Sequence, residues 1–306
     1  MRNLDQKLMA IGTHKKDFVK YEIEIYNNFS IFLVNNKLEN MPEIPEVRLT
    51  VDYLSKELEG KKIQDWVFCG GGYTDEEPKG FSVFDKALPL EVKSVQSKGK
   101  FIYFTLSDQE DNEHYIMHSL MMTGRWQKDY DKFCKWFVEL DNEKTVWFRS
   151  PRSLSTLSFT TDKTVLQDKL DSLGPDIMTR SFSLPKFKEL SNKYSKRNIT
   201  SFLMDQKIIS GCGNYIKAEV LWYAYVSPLR KVGELSNREI ELIFEALRII
   251  PRVSYNRKGL SLKDYADENG TEGYYSGELK VYGKKYAKRT KTADGRTTYW
   301  DPTRQV

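Results

Sequence analysis

Two neighbouring residues, Pro42 and Glu43, have types and spacing that could do chemistry. If Met41 is removed as an initiator, Pro42 becomes a chain terminus whose secondary amine can attack an electrophilic carbon and form a protonated Schiff base. Glu43 could then move protons beside that amine. If residues 1–40 stay attached, the nitrogen of Pro42 is a tertiary amide without a usable lone pair. The two cases predict an enzyme and a non-enzyme.

The first half of the chain, which must position these residues, has mainly the pattern of strands. A helical pattern starts at Glu46 and stops at Gly60. From there to about Phe159, short apolar segments alternate with turn residues, as in an antiparallel sandwich or barrel. The predicted strands are 62–69, 90–95, 101–106, 115–121, 136–140, 146–149 and 156–159.

The second half follows a junction at residues 173–176 and has a helical pattern. The predicted helices are 187–194, 199–205, 215–225 and 237–255, followed by a polar, glycine-rich loop at 259–283. Residues 286–300 are predicted to form a hairpin, because Asp294 and Gly295 are a strong signal for a two-residue turn.

These patterns predict a two-domain α+β protein. The predicted parts are an N-terminal extension at 1–40, an antiparallel β-sandwich flanked by helices at 41–165, a helical domain at 166–258, and a loop with a terminal hairpin at 259–306.

The composition is that of a globular protein with room for two domains: 306 residues, 40% hydrophobic and 30% charged. No apolar run approaches the roughly 20 residues that cross a bilayer, so we expect neither a membrane protein nor a secreted one. Residues 280–306 contain eight basic residues and two aspartates, with Tyr282 and other aromatic residues among them. A solvated surface run is one interpretation, but basic and aromatic side chains together favour contact with a nucleic acid.

The turn between two of the predicted helices is a second candidate site. Gly211 and Gly213 precede a helix that opens near Asn214, and Lys207 lies in the same segment. The unpaired N–H groups of such a helix N-terminus bind phosphate. A plain inter-helix turn with an asparagine cap is the alternative, and for this motif alone it is the better one.

Five short motifs occur in one order along the chain. They are Pro42-Glu43 with Pro45-Glu46, Ser97-Lys98-Gly99-Lys100-Phe101, Met122-Thr123-Gly124, Leu173-Gly174-Pro175, and the segment 206–214. Together they resemble the Fpg/Nei family of bifunctional DNA glycosylase/AP lyases, over residues 41 to about 305. The resemblance implies an N-terminal β-sandwich, a helical domain with a helix–two-turn–helix element, and a C-terminal β-hairpin finger.

The finger departs from that of most bacterial members, which hold it together with four zinc-binding cysteines. No cysteine follows Cys212 in this sequence, and residues 294–300 instead resemble the zincless finger of animal Nei-like glycosylases. The resemblance implies that Arg296 binds phosphate. It implies no zinc, since a structural zinc site needs four ligands, and no other cofactor.

The resemblance assigns catalytic roles to four residues. It implies that Pro42 is the nucleophile that attacks C1′ of the damaged nucleotide. It implies that Glu43 is the general acid/base that protonates the sugar ring oxygen. Glu46 is implied as a supporting carboxylate, with a favourable charge at a helix N-terminus as the alternative. Lys100 is implied to contact phosphate at the lesion, with a solvated turn lysine as the alternative.

Four residues are candidates for binding DNA. The resemblance implies that Asn214 and Arg296 contact phosphate. Lys207, in the turn before Asn214, and Tyr282, in the basic terminal segment, are the other two candidates.

A base in a duplex must be flipped out before its glycosidic carbon can be attacked, so other side chains must fill the gap. Met122 and Arg152 stand at two of the three positions that do this in the family. At the third, where a phenylalanine is expected, Leu154 offers an apolar wedge without an aromatic face. An ordinary core residue is the alternative for Met122.

The resemblance implies excision of oxidised bases from double- or single-stranded DNA, followed by β,δ-elimination. Oxidised pyrimidines and ring-opened or hydantoin lesions are expected before 8-oxoguanine. We expect a monomer that acts where DNA is replicated or repaired, in a nucleus or in the cytoplasm and nucleoid. The later motifs fall where a chain beginning at Met41 would put them, so we expect residues 1–40 to be absent from the mature protein.

Two other functions remain open. If residues 1–40 are retained, the protein is expected to bind damaged DNA or junctions without cutting them. A lyase that uses Lys98 or Lys100 as its amine would not depend on the state of Pro42.

Overall fold

The structure is a computed structural model that describes residues 41–260 and 273–306. The predicted extension at 1–40, and residues 261–272 of the predicted loop, lie outside the described residues. The helices are α1 (Ile44–Leu58), α2 (Phe81–Ala87), α3 (Lys163–Asp171), α4 (Leu184–Lys193), α5 (Ile199–Met204), α6 (Asn214–Tyr223) and α7 (Asn237–Asn256). The strands are β1 (Lys62–Phe68), β2 (Leu90–Lys98), β3 (Phe101–Ser107), β4 (Glu113–Ser119), β5 (Arg125–Gln127), β6 (Cys134–Leu140), β7 (Thr145–Arg149), β8 (Thr156–Thr160), β9 (Lys288–Lys291) and β10 (Thr297–Trp300).

The first eight strands form one antiparallel sheet in the order β5-β7-β6-β1-β2-β3-β4-β8. Aromatic rings from strands far apart in this order meet in the core. The ring of His118 in β4 lies 5.7 Å from that of Trp136 in β6 and 4.9 Å from that of Phe148 in β7. The sheet therefore folds back on itself, and its two halves enclose the core as in a sandwich.

Helix α1 fixes the start of the described chain on this sheet. Pro45 stands in its first turn, where a missing N–H costs nothing. Val47, Leu54 and Leu58 on its inner face join the core of the sheet, each contributing about 1.5–3 kcal/mol by burial. Glu43 is thereby held at the N-terminus of an anchored helix.

The domain boundary predicted at residue 165 falls inside α3 and stays a prediction. Leu166 of this helix packs with Phe101 and Tyr115 of the sheet. The prediction missed α2, α3 and β5. Each of these elements buries only one or two side chains, too few for an apolar period to show.

The four helices predicted for the second half correspond to α4–α7. The terminal hairpin pairs β9 with β10 as predicted, but its turn has three residues, 293–295. Thr292 donates its N–H to the carbonyl of Arg296 at 3.0 Å, and Gly295 donates to the carbonyl of Thr292 at 2.9 Å. Gly295 takes the left-handed conformation (φ 78°) that such a turn needs. Among the helices of 41–260 and 273–306, none is long and apolar enough to cross a membrane.

Candidate active site

The carboxylate of Glu43 lies at the N-terminus of α6. One oxygen accepts the N–H of Tyr215 at 2.8 Å and the other accepts that of Ile216 at 3.2 Å. Burial raises the pKa of Glu43 to about 7, although the positive charge of Lys100 opposes the shift. A carboxyl group with such a pKa is partly protonated at neutral pH and can deliver a proton.

The Gly211-x-Gly213 turn brings α6 this close to Glu43. A Cβ atom on Gly213 would lie 2.2 Å from Cδ of Glu43, and one on Gly211 would lie 2.6 Å from Cδ1 of Ile44. For the helix terminus behind this turn, the sequence left two interpretations, phosphate binding and a plain inter-helix turn. Two of its N–H groups are instead taken by Glu43, so the glycines serve the carboxylate.

Glu46 is hydrogen-bonded to three separate segments around Glu43. One of its oxygens accepts the N–H of Glu43 at 2.9 Å, and the other accepts the N–H of Leu260 at 3.0 Å and the hydroxyl of Tyr215 at 3.4 Å. The side chain is fully buried, and burial raises its pKa. Glu46 therefore connects α1 with α6 and with the chain after α7, as the expected supporting carboxylate would.

Lys100 faces the same centre from the turn between β2 and β3. Burial lowers its pKa, the negative charge of Glu43 opposes this, and the positive charge of Arg296 lowers the pKa further. The structure thus places Lys100 within electrostatic range of both Glu43 and Arg296. Lys98 is held elsewhere, because its ammonium donates to the carbonyl of Leu170 at 2.7 Å.

Asp176 fixes the Lys100 turn, and the sequence analysis did not identify this residue as part of the site. Its Oδ2 accepts the N–H of Gly99 at 2.7 Å and pairs with Arg48 of α1 at 2.8 Å. The side chain of Asp176 is buried. The only signal in the sequence was its place in the Leu-Gly-Pro-Asp junction.

The DNA-binding candidates fall into two groups. Arg296 and Lys207 are exposed, and Asn214 donates from its side-chain amide to the carbonyl of Thr297 at 3.1 Å. Tyr282 is only 3% exposed, and its ring packs edge-on against those of Tyr215 and Tyr299. Its burial argues against the predicted direct contact between Tyr282 and DNA. The aromatic count of the basic segment could not show which rings face inward.

Two of the three gap-filling candidates touch. A guanidinium nitrogen of Arg152 lies 3.5 Å from the sulfur of Met122. Met122 is half-buried and is absent from the hydrophobic core of the sheet, which argues against the core alternative. Leu154, two residues beyond Arg152, is 47% exposed.

The domain family described as the formamidopyrimidine-DNA glycosylase N-terminal domain matches residues 41–157, and the formamidopyrimidine-DNA glycosylase H2TH domain matches residues 173–265. A formamidopyrimidine-DNA glycosylase of Desulfitobacterium hafniense is 30% identical over 256 residues, covering 80% of this chain and 89% of the relative. The chain belongs to the formamidopyrimidine-DNA glycosylase family. A relative of the same name from Prochlorococcus marinus is 30% identical over 289 residues, covering 86% and 99% of the two proteins.

Solved structures from this family share the fold. The MutM (Fpg) protein from Thermus thermophilus superposes with a TM-score of 0.75 at 24% identity, covering 86% of this chain and 98% of that one. Wild-type Lactococcus lactis Fpg (MutM), in a complex with DNA containing N7-benzyl-Fapy-dG, gives 0.75 at 24% identity, covering 86% and 99%. The predicted family and the predicted α+β fold are therefore confirmed, and the family supports the predicted enzyme class, a DNA glycosylase of base excision repair.

The residues that the structure describes contain no group of three or more His, Cys, Asp or Glu side chains arranged to hold a metal ion. The zincless character of the finger stays a prediction.

Proposed function

We propose that this protein is a bifunctional DNA glycosylase and AP lyase whose nucleophile is the amine of Pro42. The observation that carries the proposal is the Glu43 carboxyl group, which follows Pro42 directly and has a pKa raised to about 7 by burial. An acid of this strength beside a secondary amine suits both the attack and the proton transfers that must follow it.

The steps balance without a redox agent. The nitrogen of Pro42 forms a bond to C1′ as the glycosidic bond breaks, and the departing base takes up the proton that this nitrogen loses. A proton from Glu43 on the ring oxygen opens the sugar, and the nitrogen lone pair completes an iminium ion. Loss of a proton from C2′ expels the 3′ phosphate, and a second elimination expels the 5′ phosphate. Water then releases the sugar fragment from Pro42.

The proposed substrates are oxidised pyrimidines, hydantoins and ring-opened purines, in preference to 8-oxoguanine. The hairpin at 294–300, which resembles that of Nei-like glycosylases, supports the first two classes, and the names of the relatives support the ring-opened purines. We propose that Lys100, Asn214, Arg296 and Lys207 contact DNA, and that Met122, Arg152 and Leu154 fill the gap left by the flipped nucleotide. The proposed active form is a monomer that begins at Pro42 and needs no metal or other cofactor.

Incision of duplexes that each carry one lesion tests the proposal. We expect cleavage without added alkali, leaving phosphate at both ends of a one-nucleotide gap, with 8-oxoguanine the slowest substrate. Glu43→Gln, which cannot supply the proton, serves as the matched inactive variant. Cleavage that appears only after hot alkali would contradict the lyase activity. Strands that stay intact for every lesion, even after hot alkali, would contradict the glycosylase activity.

A second function has a specific observation in its favour. In the 306-residue chain the nitrogen of Pro42 is joined to Met41, and an amide nitrogen forms no Schiff base. This form would bind damaged DNA without cutting it. Binding without incision by the full chain, with incision by the chain that begins at Pro42, would assign one function to each form.

A further inference from the structure

A buried ion pair joins the tip of the terminal hairpin to helix α6. The ammonium of Lys217 lies 2.6 Å from Oδ2 of Asp294, and the two side chains are 0% and 3% exposed. The other carboxylate oxygen of Asp294 accepts the hydroxyl of Thr292. Burial raises the pKa of Asp294, but Lys217 and the hydrogen bonds outweigh it, so the pKa lies below its ordinary range and Asp294 is ionised.

A buried ion pair contributes little net free energy to holding two elements together. Removing two charges from water offsets most of their attraction, and apolar side chains of similar size would pack at least as well. What an ion pair adds is direction, because the charged groups accept few alternative arrangements. In some proteins, such as coiled coils, a buried polar group selects one register among several.

The pair fixes the part of the hairpin that carries Arg296. Asp294 lies two residues before Arg296 and is held by Lys217. Thr297, directly after it, is held through its carbonyl by the side-chain amide of Asn214 at 3.1 Å. Both anchors belong to α6, the helix whose first turn also binds the carboxylate of Glu43. One rigid helix thus relates Arg296 to the proposed acid.

We propose that Lys217 and Asp294 are positioning residues, which aim the exposed guanidinium of Arg296 at a DNA phosphate beside Glu43. This inference rests on the proposed function. Neither side chain touches the reacting atoms, since both are enclosed between α6 and the hairpin.

The test measures the number of phosphate contacts. Log Kobs falls as log salt concentration rises, and each phosphate that a protein neutralises makes this slope steeper by about 0.9. The variant Lys217→Met/Asp294→Asn removes one charge of each sign, so the net charge of the protein does not change. A change in slope then shows that a phosphate contact has been lost through the position of Arg296 and not through the net charge. Binding of the full chain to a duplex with an abasic-site analogue gives the slope and does not need the amine of Pro42.

We expect Lys217→Met/Asp294→Asn and Arg296→Ala each to make the slope less steep by about 0.9, and the triple variant to have the same slope as either of them. Lys217→Arg, which keeps the pair, should retain most of the slope. The matched control is Lys188→Met/Glu241→Gln, which also removes one charge of each sign. Lys188 of α4 and Glu241 of α7 form an ion pair at 2.7 Å outside the hairpin. Their replacement should leave the slope unchanged. Near-ultraviolet circular dichroism confirms that each variant is folded.

A slope as steep as that of the wild type in Lys217→Met/Asp294→Asn, together with a less steep slope in Arg296→Ala, would overturn the proposal. Additive losses in the triple variant would also overturn it. An unchanged slope in Arg296→Ala would overturn it because Arg296 then binds no phosphate. The incision assay is independent of all three results, so a failure here can be told from a failure of the proposed enzyme.

Discussion

Gly213 and Glu43 are in such close contact that the first can only be glycine: a Cβ atom at position 213 would lie 2.2 Å from Cδ of the glutamate. The turn before α6 therefore has no side chain at the point where the carboxylate meets the helix. The identity of residue 213 thereby controls where Glu43 can lie.

Gly213→Ala is expected to push the Glu43 carboxyl group off the N–H groups of Tyr215 and Ile216. The added methyl group overpacks a buried site, so we expect the free energy of unfolding to fall by about 1–3 kcal/mol. Base release should slow by about 100-fold or more as the acid loses its place. Single-turnover kinetics and denaturant unfolding measure the two effects. Gly277→Ala, at a glycine with nothing within 4 Å of an added Cβ, should leave the rate of base release unchanged.

The rate of base release should depend on pH through two groups. Glu43 must be protonated, and since its pKa is raised to about 7, the rate falls as pH rises above 7. The amine must be unprotonated, and a terminal amine has a pKa of about 7.7–8.0, so the rate also falls at low pH. A bell-shaped single-turnover profile with its maximum between about 7 and 8 is the expected result.

Glu43→Gln provides the control for this profile. It should lower the rate by about 100-fold or more and abolish the alkaline limb, because glutamine does not titrate. An alkaline limb that survives in Glu43→Gln would show that another group is the acid.

Asp176→Asn is expected to loosen the Lys100 turn. Asp176 accepts with both oxygens: Oδ2 from Gly99 and Arg48, and Oδ1 from the N–H of Met178 at 2.8 Å. Asparagine has one acceptor oxygen and no charge, so one of these bonds is lost and the ion pair with Arg48 disappears. The free energy of unfolding should therefore fall by about 1.5–3 kcal/mol. Binding to DNA should weaken as Lys100 loses its fixed place. Asp168→Asn, on the exposed face of α3, should change stability by no more than about 0.5 kcal/mol. Equal stability of the two variants, by urea unfolding, would contradict the role of Asp176.

Leu154→Phe should strengthen binding to a duplex with an abasic-site analogue. Leu154 is 47% exposed, so a larger ring fits without overpacking, and stacking of a base on an aromatic ring contributes about 1–3 kcal/mol. We expect Kd to fall about 5-fold or more with an unchanged melting temperature. Leu229→Phe, at a leucine that is 57% exposed, is the control for nonspecific binding of an added aromatic ring to DNA. Equal effects of the two substitutions would show that Leu154 does not face the gap.

The sequence could predict the elements whose apolar pattern is long, and the seven predicted strands and the longer helices all occur. It could not predict contacts between distant residues. Asp176 lies 128 positions from Arg48, and Lys217 lies 77 positions from Asp294, so nothing local indicated either ion pair. The resemblance located Glu43, but only its burial in the folded protein explains how its carboxyl group reaches a pKa of about 7. The burial of Tyr282 was missed because aromatic composition does not reveal which way a ring faces.

The central claim is that the amine of Pro42 attacks the sugar, and trapping on abasic DNA with borohydride tests it most directly. The trapped complex is digested, and the residue that carries the sugar is identified by mass spectrometry. A chain that begins at Pro42 should give one adduct, on Pro42, and the 306-residue chain should give none. An adduct on Lys98 or Lys100, or equal trapping by the two chains, would contradict the claim.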